Sequence, residues 1–510
     1  MNFRVALCLA VAMVVSIILA SCLFVSQNSR LALMISLGVI FSTVLICVVI
    51  FKKRFLMFLL SIILFIALPV VMIYTKANEL SKNNLLISET TTYSGKIYSY
   101  SEQLEANALF IELDDVKILT GKETKDFKGI VYVRVYADGV DTSKLEVGKN
   151  ITIKSSNLKG LTLKESVTRR DRSYLSRGMT ATDFVFAYNL YFGESEKLGL
   201  RDNIKNSVLE NFDKTDTFFT SIGYAMIFGE SSVLNDDVYS VFKDSGIAHL
   251  LAVSGFHISV IVAFLSFVLN KLKVNKHLKI SIIAVILSIY AYLCSFSVSV
   301  IRASIMALLL LYATNRNKEY DKMSALSLAA IIILLINPLQ LFNLSFIFSF
   351  VSILSIILLA PLFERLLSKI LYDKLSSSIG ISLAVCLGVM VFQLYYFGKV
   401  PLFSVLSNVI TIPVVSVLFI FLIISVIVGG VFNIMVPLIN VFGFLMKYVV
   451  QFNNWICSSG LNIYCGDFEK LTFLLSLAIM FIVSDYLFVK KKTKLIVALP
   501  LFMVLIVSMI

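Results

Sequence analysis

Long apolar runs separated by short charged loops dominate the chain, and one polar interval interrupts them. Residues 5–25, 31–51 and 55–74 are each about 20 apolar residues, enough to cross roughly 30 Å of hydrocarbon. Apolar runs resume at 245–270, 280–296, 298–314, 324–336, 341–359, 379–397, 403–428, 434–455, 471–489 and 495–510. With the short run 221–229 taken as re-entrant, the pattern predicts about twelve to thirteen spans.

The polar interval follows a different period. Alternation of apolar and polar positions marks 93–100, 108–113, 130–136 and 150–155 as strands, punctuated by Gly95, Gly121, Gly129, Gly139 and Gly148. That spacing predicts a small antiparallel β-domain of the OB barrel type. Tyr93, Tyr98, Tyr100, Tyr132 and Tyr136 read either as a stacking platform for bases or as strand packing residues. The basic run 169–178, RRDRSYLSRG, closes the soluble part, as a phosphate contact or as a solvated helix end. Residues 198–217 read as an amphipathic helix at a membrane surface.

Composition turns this pattern into a class. The chain has 510 residues, 58% of them hydrophobic and 15% charged, which excludes an ordinary soluble globule. The expected fold is a polytopic α-helical membrane protein with an extracytoplasmic all-β, OB-like soluble domain. The domains divide as N-terminal transmembrane helices (1–75), β-domain (76–200), an amphipathic and re-entrant segment (201–245), a transmembrane channel domain (246–430) and C-terminal transmembrane helices (431–510). The net charge of +13 does not by itself imply nucleic acid, because much of it lies in short loops. Lys52, Lys53, Arg54 and the basic loops 271–279, 315–322, 364–374 and 490–494 all fall on the cytoplasmic side when the β-domain lies outside. The first run lacks a persuasive cleavage site and reads as a retained anchor. The cysteines form no CxxC; Cys457 and Cys465, on the outer side, are a possible disulfide.

Candidate chemistry concentrates in 245–270, which carries His249, Ser254, Gly255, His257 and Ser259 in its first half. Polar groups in a span normally face a bundle interior or a watery path, and a Ser-Gly pair permits a kink. On one straight helix His249 and His257 would differ by about 80° around the axis. With Glu230 or Asp244 they form only a weak metal-ligand pattern, and polar packing between helices is the simpler reading. Ser254 and His257 stand one turn apart, open to a reading as a nucleophile pair, though such a pair also needs an orienting group and an oxyanion hole. Arg302, beside Ser295, Ser297 and Ser299, either snorkels to headgroups or offers charge to an anion. Asn343, Ser345, Ser349 and Gln393 dot later spans, and Asn408 with Pro413 is expected to break another.

The stretch 226–257, MIFGESSVLNDDVYSVFKDSGIAHLLAVSGFH, resembles the signature of the ComEC family of competence proteins. Three further blocks agree in order: 290–308 (YAYLCSFSVSVIRASIMAL), 327–359 with Asn337-Pro338 and Leu344-Ser345-Phe346, and 393–413 (QLYYFGKVPLFSVLSNVITIP). The β-domain, with Arg172–Gly178 at its close, is also similar to the family's OB-type domain. Phe256 stands where a Leu is more usual, and no HxHxDH of the family's metallo-β-lactamase-like domain is present. The resemblance implies a non-enzymatic channel in the cytoplasmic membrane for inward passage of single-stranded DNA, with no cofactor and no metal. It implies a path lined by His249, Ser254, Gly255, His257, Ser299, Arg302, Asn343, Gln393 and Asn408, and an outer domain receiving the strand through Tyr93, Tyr98, Tyr132 and Tyr136. The resemblance also implies an external DNA receptor, and since passage needs a driving force and no P-loop GxxxxGK[ST] is present, a cytoplasmic translocase or single-strand-binding proteins are expected to pull the strand in. Two other readings remain: an intramembrane hydrolase using Ser254 and His257, and a small-solute exporter.

Overall fold

A computed structural model describes residues 9–17, 53–87, 91–103, 108–120, 123–136, 145, 147–155, 157–161, 169–195, 199–215, 219–230, 234, 236–401, 403–432, 434–457 and 462–464. The expected spans 31–51, 471–489 and 495–510, as well as Cys465, lie outside these residues. The chain divides into two compact units, Met1–Lys205 with Ser327–Phe346, and Asn206–Leu326 with Ile347–Ile510.

The first unit contains a long helix, α1 (Lys53–Asn84), and a sheet. Its strands are β1 (Thr91–Gln103), β2 (Ala108–Thr120), β3 (Glu123–Asp126), β4 (Ile130–Tyr136), β5 (Lys149–Ser155), β6 (Lys159–Gly160), β7 (Met179–Phe186) and β8 (Leu190–Ser195). They pair in the order β6-β7-β4-β2-β1-β5-β8, with β3 on β2. All described pairings are antiparallel except β4–β7, a parallel pair. Parallel strands need a long crossover, supplied here by β5, β6 and the helix α2 (Arg169–Ser176).

Alternation builds the core. Val131, Val133 and Val135 point inward from β4, meeting Ile111, Ile151, Ile153, Ala181 and Val185. Each fully buried Val or Ile contributes roughly 1.5–3 kcal/mol. Asp183 is buried among them, held by Tyr93 Oη (2.6 Å), Ser155 Oγ (2.6 Å) and the Phe184 N–H (2.7 Å). The carboxylate thus joins β1, β5 and β7.

One expectation is corrected here. The basic run does not close the β-domain: it forms α2, and strands β7 and β8 follow it. The unit also takes in residues 327–346 from much later in the chain. Within that segment Asn337 Nδ2 and Gln340 Nε2 donate to the Ser176 carbonyl, at 3.3 and 3.1 Å. They satisfy an acceptor that the end of α2 would otherwise leave open.

The second unit is helical. It comprises the end of α3 (Leu200–Asp213), then α4 (Ser221–Phe228), α5 (Asp236–Asp244), α6 (Gly255–Lys271), α7 (Lys276–Leu293) and α8 (Val298–Asn315). After α9 (Lys322–Ile336) come α10 (Leu344–Leu367), α11 (Asp373–Phe397), α12 (Ser404–Phe432) and α13 (Met435–Cys457). Among the described residues six helices are long and apolar enough to cross a membrane: α7, α8, α10, α11, α12 and α13. Helix α4 is short yet buried from Ile222 to Phe228. A Cβ at Gly223 would stand 3.0 Å from both Phe212 and Phe442, so its glycine permits the close approach.

Lipid is as apolar as leucine, so shape and polar pairs must join such helices. One pair is Asn453 on α13, whose buried amide donates to Thr411 Oγ1 on α12 at 3.1 Å. Helix α12 also runs unbroken through Pro413, against the expected break at Asn408 and Pro413. The run 245–270 is not one kinked span. It is a turn followed by the 17-residue helix α6.

Candidate functional site

The centre of the second unit is a turn punctuated by two Ser-Gly pairs. Helix α5 stops at the first: Gly246 adopts φ +77°, and the Ile247 N–H closes on the Phe242 carbonyl at 2.9 Å. This is a left-handed helix stop, which glycine adopts without penalty. A Cβ there would also come within 2.5 Å of Ser404 Cβ. A single 3₁₀ turn, Ala248–Leu250, follows.

The second pair starts α6. Ser254 is extended (φ −126°, ψ 172°), its side chain accepts from the His257 N–H, and its own N–H donates to His257 Nδ1 at 3.1 Å. This reciprocal capping box has histidine where glutamate is usual. Accepting at Nδ1 places the neutral ring's proton on Nε2. His257 is fully buried, edge-on to Phe419 at 4.5 Å, and its Nε2 has no hydrogen-bond partner. Ser254 Oγ lies 3.2 Å from the same Nδ1 that takes the backbone N–H. A nucleophile's base needs one nitrogen for the hydroxyl and an orienting group on the other. Here the contact is a helix cap.

His249 is corrected from the shared helix: it sits in the 3₁₀ turn, exposed, while Ile247, Leu250 and Leu251 beside it are buried. Arg302 on α8 is 4% exposed. Its Nη1 donates to the Ser349 carbonyl on α10, its guanidinium lies 6.0 Å from the Phe350 ring, and its Nε has no partner. A Cβ at Gly255 would stand 2.5 Å from Arg302 Nη2. Ser254, Gly255, His257 and Arg302 are therefore brought together. Ser299 is buried on the same helix as Arg302.

The remaining path residues do not join this cluster by hydrogen bonds. Asn343 belongs to the first unit, where it donates to Gln340 Oε1 (2.8 Å) and caps the Ser345 N–H (2.9 Å), so its amide is spent on local structure. Gln393 is half-buried on α11. Asn408, half-buried on α12, has a carbonyl oxygen without a partner.

A second candidate surface lies on the outer face of the sheet. Register aligns Phe110, Arg134 and Phe184 across β2, β4 and β7, and sets Tyr136 beside Phe186. The Arg134 guanidinium stands 5.6 Å from the Phe110 ring, 6.0 Å from Tyr136 and 5.9 Å from Phe184. Its Nε is unpaired, and it forms no ion pair among the described residues. Tyr136 stacks on Phe186 at 5.1 Å, and Phe186 on Tyr188 at 5.6 Å with planes 5° apart. Tyr188 is 73% exposed. Tyr132 stacks on Phe110 and packs against Tyr174 of α2; burial and the Tyr174 phenol raise its pKa.

Two of the expected tyrosines, Tyr132 and Tyr136, are on this face. Tyr93 is not: it is fully buried against Asp183, so no base reaches its ring. Tyr98 is half-buried and covered by Arg201, 5.1 Å from its ring. Arg134, Phe110, Phe184, Phe186 and Tyr188 were missed. For the first four the signal is outward parity on strands whose alternate residues are buried; Tyr188 lies in the short 3₁₀ turn Ala187–Asn189, where strand parity does not apply. The possible Cys457–Cys465 bridge lies outside the described residues at Cys465.

Comparison with known proteins gives the family. A family model described as competence protein matches residues 226–491, just over half of the chain. The chain is 28% identical over 198 residues to ComE operon protein 3 of Bacillus subtilis (strain 168), covering 38% of this chain and 24% of that protein. It is 25% identical over 270 residues to an uncharacterized protein of Aquifex aeolicus (strain VF5), covering 52% of this chain and 56% of that one. Recombination protein 2 of Haemophilus influenzae (strain ATCC 51907 / DSM 11121 / KW20 / Rd) is 24% identical over 187 residues, 35% of this chain and 23% of that protein. The chain thus spans about a quarter of the two named relatives and just over half of the third. No solved structure matches. The match over the stretch that holds the capped turn, Arg302 and six apolar helices places this multi-pass membrane protein in the competence protein family, of the ComEC type.

Proposed function

We propose that this protein is the membrane channel through which single-stranded DNA enters the cell across the cytoplasmic membrane during natural transformation. The observation that carries the reading is the Arg134-centred aromatic face on the sheet of a competence-family membrane protein. Bases of any sequence stack on exposed rings, and an unpaired guanidinium suits the phosphates between them. The names ComE operon protein 3 and Recombination protein 2 accord with a role in DNA handling.

On this reading the β-domain is an OB barrel facing outward. Its order, with β4 parallel to β7 and β1 antiparallel to β2 and β5, is compatible with that fold. The second unit supplies the path, with His249, Ser254, Gly255, His257, Ser299, Arg302, Gln393 and Asn408 nearest the strand. A phosphate backbone needs polar or positive lining, since dry hydrocarbon penalises each charge heavily. An external receptor and a cytoplasmic translocase or strand-binding protein provide capture and pull.

The test follows labelled duplex DNA given to competent cells with and without this gene. Cells lacking the gene should bind DNA but carry no label into the nuclease-protected cytoplasmic fraction. Equal protected label in both strains would end the uptake reading.

A further inference from the structure

Arg302 poses an electrostatic problem that its surroundings leave unsolved. It is 4% exposed, it forms no ion pair among the described residues, and its Nε finds no acceptor. A buried charge without a counter-charge carries a heavy desolvation penalty. Its position adds to the cost. The guanidinium lies against Gly255, the first residue of α6, close enough that any Cβ there would collide with Nη2. The N-terminus of a helix carries about half a positive charge. Two positive ends thus face each other, with the unpartnered Oγ of Ser349 on the residue whose carbonyl receives Nη1.

The first turn of α6 also retains donors. The capping box uses the N–H groups of Ser254 and His257, while those of Gly255 and Phe256 precede the first intrahelical bond, from Ile258 to Ser254. Two backbone donors, an unpaired Nε and a serine hydroxyl are the chemistry that recognises a tetrahedral oxyanion.

We propose that Arg302, the first turn of α6 at Gly255–Phe256 and Ser349 form a subsite for one phosphodiester group of the single strand. This rests on the uptake reading and deepens it. The strand's phosphate supplies the missing counter-charge and is released when the next displaces it. Gly255 is required because a side chain would push the guanidinium away from the helix end. Arg302 is then a binding group rather than a strut.

The experiment uses the full chain in detergent micelles, unfolded thermally with and without an abasic deoxyribose-phosphate oligomer of about ten units, which has phosphates but no rings to stack. The oligomer should raise the wild-type midpoint. Arg302→Met should be at least as stable as wild type without it, because an unpaired charge has left the interior. Its oligomer affinity should fall by about tenfold or more. If Arg302→Met does not fold, Arg302→Lys carries the test, since it keeps the charge and loses the planar fork. At least a severalfold loss of affinity in that variant supports the subsite. Unchanged oligomer affinity in the folded variant overturns it and leaves Arg302 as a support for the Ser349 carbonyl. A wild-type shift given by an anionic phospholipid and not by the oligomer overturns it as well. Loss of uptake on deleting the gene, with unchanged oligomer affinity in Arg302→Met, sinks the subsite alone.

Discussion

Tyr93 and Asp183, ninety positions apart, meet at 2.6 Å inside the β-domain, where the phenol donates to a buried carboxylate. The pair ties the first long strand to β7, the strand that the alternation pattern did not reveal. Removing one partner strands the other in a dry interior. Tyr93→Phe should cost about 1–3 kcal/mol, and Asp183→Ala more, because it also abandons Ser155 and the Phe184 N–H. Denaturant unfolding of the full chain, followed by hydrogen exchange in 91–103 and 179–186, would measure both. Unchanged protection would refute the pairing.

The same carboxyl gives a pH dependence. Burial raises the Asp183 pKa, opposed by the hydrogen bonds from Ser155, Tyr93 and Phe184. A raised folded value means that its stabilising contribution is complete below the ordinary carboxylate range and is lost as pH rises through the raised one. Asp183→Asn cannot titrate. Wild-type stability minus that of the variant should therefore fall from acid toward neutral pH, and a flat difference would contradict this.

Stacking energies predict the behaviour of the outer face. Tyr188→Ala and Tyr136→Ala should each weaken single-strand binding by about 1–3 kcal/mol with little dependence on base sequence. Arg134→Ala should weaken it and lower its salt dependence. Filter binding with full-length protein across a salt series checks all three. If these variants bind strands normally but release from anionic vesicles, the face is a membrane contact and the strand docks elsewhere.

The capped turn separates a hydroxyl that shapes from one that reacts. Ser254→Ala should cost about 0.5–2 kcal/mol and reduce uptake in proportion. Ser254→Asn, another good cap, should restore most of both. A nucleophile would tolerate neither change, so abolished activity in Ser254→Asn with normal stability would revive the hydrolase reading.

At Gly246 two independent demands coincide, a left-handed φ and contact with Ser404. Gly246→Ala should lower the thermal midpoint through at least about 1 kcal/mol of backbone strain plus the collision. Differential scanning fluorimetry of the purified protein reads this directly, and a midpoint within error of wild type would rule it out.

Much of this architecture is legible in the residues, and the exceptions share a cause. β4 stands where its alternation puts it, 130–136, because valines and polar or aromatic residues take turns without interruption. β7 escapes notice because Thr180 and Asp183 are buried on it although composition reads them as polar. Their burial is tolerated only through hydrogen bonds to groups distant in sequence, such as Tyr93 and the Lys128 carbonyl. In 245–270 the apolar content suggests one span, but two local devices, Gly246 and the Ser254–His257 box, divide it. The box follows the usual three-residue spacing with histidine in place of glutamate, a substitution that hides it. Outward parity marks Tyr132, Arg134 and Tyr136 as one row on β4. The register that adds Phe110 and Phe184 to that row cannot be read from any one strand.

The grip of Asn337 and Gln340 on the Ser176 carbonyl bears on the order in which the molecule is made. Synthesis proceeds from the N-terminus, and domains tend to fold as units when they emerge. The β-bearing unit is discontinuous, so it cannot be completed until residue 346 has left the ribosome. By then α4 to α8 of the other unit have already been delivered. The first-born part of the protein is therefore finished by a late arrival, and a chain stalled before Asn337 would carry α2 with its last turn still untethered.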